Sequence, residues 1–217
     1  MPVLKLRMHV KMFQLKEGLS MTDDLQKAEV KALVNKDALE QALAVGMHGA
    51  PVIKRDEKIR YLGEFRERVL RLLTKKQVAG SAVYPEILAS LKDSRAAKMI
   101  ISGKVNYRSA EKYRDLAEQV GKMCTVINDP AMIGDTGLVV VSSDAVDIDD
   151  ISIPDRRIRL EQLGIPVALI SAAGQKVCDE CYKKITATEP GEAINYRKLS
   201  LGDRFWGENC AACQGKI

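Results

Sequence analysis

The spacing of apolar and polar residues changes period several times along the chain, and each period predicts an element. Leu4, Leu6, Met8, Val10 and Met12 alternate with Lys5, Arg7, His9 and Lys11, the period of two that suits a half-buried strand. A second reading of residues 1–20 stands beside it. Lys16-Glu17-Gly18 is what a purine-rich ribosome-binding site spells when translated, and Met21 follows closely, which would make Met21 the natural start. Residues 37–45 predict a short helix with Asp37 as cap, Leu39, Ala42 and Leu43 on one face, and Gly46 as the stop. Gly46-Met47-His48-Gly49-Ala50-Pro51 reads as a loop. Residues 66–74 fit a helix and a strand equally well.

Beyond residue 80 the periods are clearer. Pro85 can open a helix whose apolar face is Tyr84, Ile87, Leu88 and Leu91. Met99-Ile100-Ile101 predicts a short buried strand within 98–102, ended by Gly103. Ser109 is expected to cap a second helix, with Tyr113, Leu116, Ala117 and Val120 inward and Gly121 at its end. Strands are predicted at 123–127 and 138–141, separated by Asn128-Asp129-Pro130 and the Gly134–Gly137 turn. Helices alternating with short aliphatic strands predict an α/β sandwich around a mixed sheet. Residues 157–163 read as a helix, and 167–170 as one more strand after Gly164-Ile165-Pro166.

Composition narrows the class. A length of 217 residues suits one main domain with an appendage, and 46% apolar with 29% charged residues is ordinary for a globular protein. No apolar run approaches the roughly 20 residues needed to cross a bilayer, and residues 1–20 lack the basic end and apolar block of a secretory signal. The expectation is a soluble cytoplasmic protein with no membrane partner, in a compartment where clustered cysteines usually mean metal. The net charge of +5 is uneven. Residues 54–76 hold nine Lys or Arg against four acids, and residues 1–20 hold four against Glu17.

Cys178-Asp-Glu-Cys181 and Cys210-Ala-Ala-Cys213 form two C-x-x-C pairs. Each pair brings two thiolates within reach of one ion, and two pairs complete the four-thiolate tetrahedron that Zn²⁺ favours. Lys176, Lys183, Lys184 and Lys216 would help stabilise thiolates. The segment between the pairs, with Tyr196, Phe205 and Trp206, has too few aliphatic residues for its own core, so metal binding is expected to supply its folding energy. A redox dithiol accounts for one pair only. Haem attachment needs a His after the second Cys, where Tyr182 and Gln214 stand. An iron–sulfur cluster is the alternative occupant. A filled shell leaves no open position, so the zinc is structural. Cys124 lies in a strand-like run and reads as core.

Little else suggests catalysis. Only His9 and His48 are available, which disfavours a histidine triad. Gly134-Asp135-Thr136-Gly137 reads as a turn before a phosphate cradle, and Asp144, Asp147, Asp149 and Asp150 as a solvated acidic connection without a calcium-loop pattern. The basic segment carries more. Arg66, Arg68, Arg71, Lys75 and Lys76 lie beside Tyr61, Phe65 and Tyr84, and guanidinium forks with aromatic faces suit phosphates and unpaired bases. In a strand, Arg66 and Arg68 would share a face. Pairing of Glu64 and Glu67 with neighbouring arginines is the competing account.

A resemblance adds to this. The motif Ala42-Leu43…Gly46-Met47…Gly49-Ala50-Pro51 leads into Tyr61-Leu62-Gly63-Glu64-Phe65-Arg66-Glu67-Arg68-Val69, and then Leu73-Thr74-Lys75-Lys76-Gln77-Val78. These residues resemble the YueI-like family of uncharacterised bacterial proteins, over about 37–150. The resemblance implies a compact β-α-β-α-β-β fold, a strand over 67–74 and a Firmicute-type source. Its layout is similar to the kink-turn-binding ribosomal proteins and to a small chorismate-mutase-type fold, whose functional motifs this chain does not show. The expected organisation is an N-terminal extension (1–35), the α/β core (36–150), a linking segment (151–177) and a zinc-binding module (178–217). The expected function is a non-enzymatic RNA-binding or ribosome-associated protein using Arg66, Arg68, Arg71, Lys75 and Lys76. A small-molecule pocket near Gly46–Pro51 and Arg66–Arg68, with Glu67 as acid or base, is one alternative. A protein–protein adaptor acting through the zinc module is the other.

Overall fold

The computed structural model describes residues 54–213 together with Ala28, Lys31, Glu40 and Leu43. The chain divides into two compact units, Met1–Asp56 and Glu57–Ile217. In the first, the four described residues are helical and exposed. The strand-like pattern of 1–20, the Met21 start and the Gly46–Pro51 loop lie outside the described residues.

A mixed four-stranded sheet organises the second unit. Its strands are β1 (Val69–Thr74), β2 (Ala96–Ser102), β3 (Met123–Ile127) and β4 (Thr136–Ser142), in spatial order β1-β4-β2-β3. β4 runs antiparallel to both neighbours, and β2 is parallel to β3. All seven residues of β4 are buried, which is why Leu138-Val139-Val140-Val141 reads as an unbroken apolar run. Alternation still sorts its side chains. Leu138 and Val140 join Met99 and Ile101 on one face, while Val139 and Val141 join Ile100 and Val69 on the other.

The first face carries a helical layer. A capping box joins Thr74 and Gln77 at the start of α2 (Lys75–Ala79). Pro85 occupies the first turn of α3 (Pro85–Lys92), which buries Ile87 and Leu91. α4 (Tyr107–Gln119) buries Ala110, Tyr113, Leu116 and Ala117. Its cap is Asn106, whose side chain accepts from the Arg108 N–H, not Ser109. The opposite face is covered by connections, with Leu62 and Ile151 buried on it and Tyr61, Ile127, Met132 and Ile148 packed alongside. The helix α1 (Arg55–Arg60) and a 3₁₀ turn at Arg66–Arg68 lead into β1.

Residues 156–213 build a smaller lobe. α5 (Arg156–Gln162) matches its predicted helix. The expected strand at 167–170 is instead the helix α6 (Val167–Ser171), following Pro166 at the N-cap. A short apolar run does not distinguish strand from buried helix by period alone. Only Leu169 and Ile170 of α6 are buried, while Val167 is 47% exposed. A two-residue parallel ladder pairs β5 (Lys176–Val177) with β6 (Arg197–Lys198). Around it lie α7 (Asp179–Thr188), a 3₁₀ turn at Pro190–Asn195 and α8 (Leu201–Phe205).

The lobe has a hydrophobic core of its own, assembled from both of its halves. Leu160, Ile165, Leu169 and Ile170 pack with Val177, Ile185, Tyr196, Leu199 and Cys210, and Ala82 joins them from the α2–α3 connection. The segment between the cysteine pairs therefore borrows its aliphatic partners from residues 160–170. Among the described residues no helix is long and apolar enough to cross a membrane.

Candidate metal centre

The four clustered cysteines reach one point from two short pieces of structure. Cys178 directly follows β5 and is the N-cap of α7, and Cys181 follows in the first turn of that helix. A spacing of three residues places both on one helix face. Cys210 and Cys213 flank the turn after α8, closed by the Cys213 N–H donating to the Cys210 carbonyl at 3.1 Å. The Ala211 N–H donates to the Lys176 carbonyl at 3.2 Å, tying this turn to β5.

The four Sγ atoms all lie within 4.8 Å of one another. Cys213 Sγ is 3.8 Å from Cys178 Sγ and 3.6 Å from Cys181 Sγ. A tetrahedron with metal–sulfur bonds of about 2.3 Å has edges of roughly 3.8 Å, so these separations suit one four-coordinate ion. All four cysteines are free thiols. The Cys178 backbone N–H donates to Cys210 Sγ at 3.2 Å. Burial opposes ionisation of Cys210, but the backbone donors of Cys178 and Ala212 outweigh it and bring its thiol down to about 7. Burial and the neighbouring sulfurs push Cys181 the other way. The arrangement can hold a metal ion by four soft donors, with no fifth position for a substrate.

A second polar cluster, which the sequence reading missed, joins the lobe to the sheet. Arg156, buried at the start of α5, donates from Nε and Nη2 to the Glu192 carboxylate at 2.8–3.0 Å. Its Nη1 donates to the Ile170 carbonyl and its Nη2 also to the Tyr196 hydroxyl. Asn195 exchanges hydrogen bonds with the Val83 backbone, donating to its carbonyl at 2.8 Å and accepting from its N–H at 2.6 Å. The Tyr84 hydroxyl accepts from the Arg156 N–H, and the Tyr84 N–H donates to the Tyr113 hydroxyl. Eight residues from five separate segments meet here, and no local spacing in the sequence marks them.

The basic segment is placed differently from expectation. Arg66 and Arg68 sit in the 3₁₀ turn before β1, not on a strand face. Arg66 Nη2 donates to the carbonyls of Ile148 and Asp149, and Arg71 Nη1 to those of Leu70 and Asp150. Lys75 donates to the Gly134 carbonyl. Three of the five cations therefore secure the 134–150 connections, and Arg68 and Lys76 stand exposed. Of the neighbouring aromatics, Tyr84 is buried and Lys58 lies over the Phe65 ring at 4.8 Å. Glu64 pairs with Lys98 at 2.8 Å, and neither it nor Glu67 pairs with an arginine among the described residues. The Gly134–Gly137 turn is likewise packed. The Lys75 N–H donates to the Asp135 carbonyl, and a Cβ on Gly137 would come within 2.7 Å of the Lys75 Cα. Cys124 is half-buried, and its burial pushes the thiol up.

Comparison with known proteins covers the sheet half of the chain. The family described as "Protein of unknown function (DUF1694)" matches residues 36–152. The chain is similar to the uncharacterised protein YueI of Bacillus subtilis (strain 168), 33% identical over 122 residues, which cover 56% of this chain and 92% of that protein. The crystal structure of the YueI protein from Bacillus subtilis matches with a TM-score of 0.46 at 33% identity, over 56% of this chain and 94% of that one. The four clustered cysteines lie beyond the family match.

Proposed function

Because the chain belongs to the DUF1694 family of proteins of unknown function, membership supplies no activity, and we propose that it is a non-enzymatic RNA-binding protein whose C-terminal lobe is braced by a structural zinc ion. The observation that supports the metal part of the reading is the convergence of Cys178, Cys181, Cys210 and Cys213, whose sulfurs lie within 4.8 Å of one another. Four thiolates fill a tetrahedral ion, so the centre holds a surface in shape and does no chemistry on a substrate. Zinc is favoured among soft metals because it has no redox demand on the site. The reduced thiols suit a cytoplasm. The net charge of +5 favours a polyanionic partner, with Arg68 and Lys76 among its exposed cations.

Two measurements test the reading. Metal analysis of the full chain purified under reducing conditions is expected to give one zinc per chain, and none after all four cysteines are replaced by serine. Fluorescence anisotropy with labelled RNA is expected to show binding that weakens steeply with salt, as phosphate contacts require. Iron in place of zinc would replace the metal assignment. Absence of RNA binding at low salt would move the function to a protein–protein adaptor, which the exposed Leu201, Phe205 and Trp206 also suit.

A further inference from the structure

We propose that single-stranded RNA docks on the β6–α8 surface between the two cysteine pairs, stacking bases on Phe205 and Trp206 and placing phosphates on Arg197, Lys198 and Arg204. This rests on the RNA-binding reading and assigns it a surface other than the basic segment before β1.

Exposure is the first observation. Leu201 is 86% exposed, Phe205 86% and Trp206 83%, and all three stand on or beside one short helix. Apolar side chains this large and this close together on a surface mark a contact site. The turn that displays them is held firmly. Ser200 and Asp203 form a capping box, and the Trp206 N–H donates to the Gly202 carbonyl at 3.0 Å. Lys176 bridges Asp203 at 2.6 Å and Glu208 at 2.7 Å, fastening the middle of α8 and the turn after it to β5. The Phe205 and Trp206 rings meet edge to face, with centroids 6.2 Å apart.

Charge complementarity is the second observation. The two acids around α8 are both taken by Lys176, and Glu192 is taken by Arg156. Asp179 and Glu180 occupy the first turn of α7, where acids suit a helix N-terminus. Arg197, Lys198 and Arg204 are exposed and make no ion pair among the described residues. Lys198 lies over the Tyr182 ring at 4.6 Å, which adds another aromatic to the cationic side. A partner for this surface must be anionic and must offer flat apolar faces. Unpaired nucleotides provide both, whereas a duplex hides its base faces.

Trp206 is the only tryptophan, so selectively excited tryptophan emission reports on this surface alone. The full metal-loaded chain is titrated with an oligouridine of about twelve nucleotides, reading Trp206 emission and, in parallel, the anisotropy of the labelled RNA. Saturable quenching is expected, with a slope of log affinity against log salt near about −2 for three phosphate contacts on a single strand. Arg197→Ala with Lys198→Ala is expected to remove most of that slope, and Phe205→Ala to weaken binding roughly tenfold. These side chains are exposed, so the variants fold, which circular dichroism checks. Anisotropy showing RNA binding with no Trp206 quenching, and no loss in the variants, overturns the surface while the RNA-binding reading stands. No anisotropy change at low salt overturns both. A blue shift of Trp206 with phosphatidylglycerol vesicles, and none with RNA, overturns the proposal in favour of a lipid surface.

Discussion

Arg156 and Glu192 show what a single pair of residues does in this fold. Their side chains are 7% and 0% exposed, so both charges have left water. Burial disfavours the arginine charge, and the Glu192 carboxylate restores it. The remaining hydrogen-bonding capacity is filled too: Glu192 also accepts from Asn195 at 2.8 Å and Arg159 at 3.3 Å. A pair satisfied in this way costs little to keep and much to break, because one partner alone is an uncompensated buried charge. Glu192→Gln is therefore expected to lower unfolding stability by about 3–5 kcal/mol. Replacing both, Arg156→Met with Glu192→Leu, is expected to cost clearly less than that. Urea unfolding midpoints of the two variants check this, and equal losses would mean the pair acts through packing alone.

Elements explain what could and could not be read from the chain. Strands β2, β3 and β4 were legible because two of them are continuous aliphatic runs and all three are bounded by turn residues. β1, which the family resemblance implied over 67–74, was not legible from its own pattern, and its register shows why. The pairing with β4 shifts between Val69 and Arg71, so Leu70 and Leu73 face the helical layer while Val69 and Leu72 face the other side. A bulge inserts one residue and turns a period of two locally into a period of three, which imitates a helix. The 167–170 run failed for the reverse reason, since four apolar residues carry no period at all. Helix caps were legible in kind and displaced in position. Asn106 and Ser109 are both good capping types three residues apart, and the first buried residue, Ala110, does not choose between them. The geometry does: the Asn106 side chain accepts from the Arg108 N–H at 3.0 Å. Asn106→Ala is expected to cost about 1 kcal/mol, and Ser109→Ala less than half of that, in thermal or urea unfolding. The cysteine pairs were legible because C-x-x-C is a local spacing. The Arg156–Glu192–Asn195 cluster was not, because it joins residues far apart in sequence.

At the scale of the whole unit, the question is how much of the C-terminal lobe would depend on a metal held by the four cysteines. Two independent anchorages are present. One is the cysteine turn: the Ala211 N–H ties it to Lys176 of β5, which pairs with β6 and holds α8 through Asp203, and the four sulfurs converge there. The other does not involve the metal: Ile185 is fully buried beside Leu160 and Leu169, and Asn195 with Glu192 clamps the 3₁₀ turn to Val83 and Arg156. Metal binding supplies folding energy only to the pieces that lack another source. Removing the metal with a chelator in reducing buffer is therefore expected to act in a graded way, visible by hydrogen exchange. Amides of β5, β6, α8 and the Cys210–Cys213 turn should lose protection, because two-residue strands and a five-residue helix do not persist alone. The second half of α7 and the 190–196 segment should keep most of theirs, and β2 and β4 should be unchanged. Loss of protection throughout 156–213 would show instead that the small core depends on the metal turn, and that the buried clamp is too weak to hold the lobe by itself.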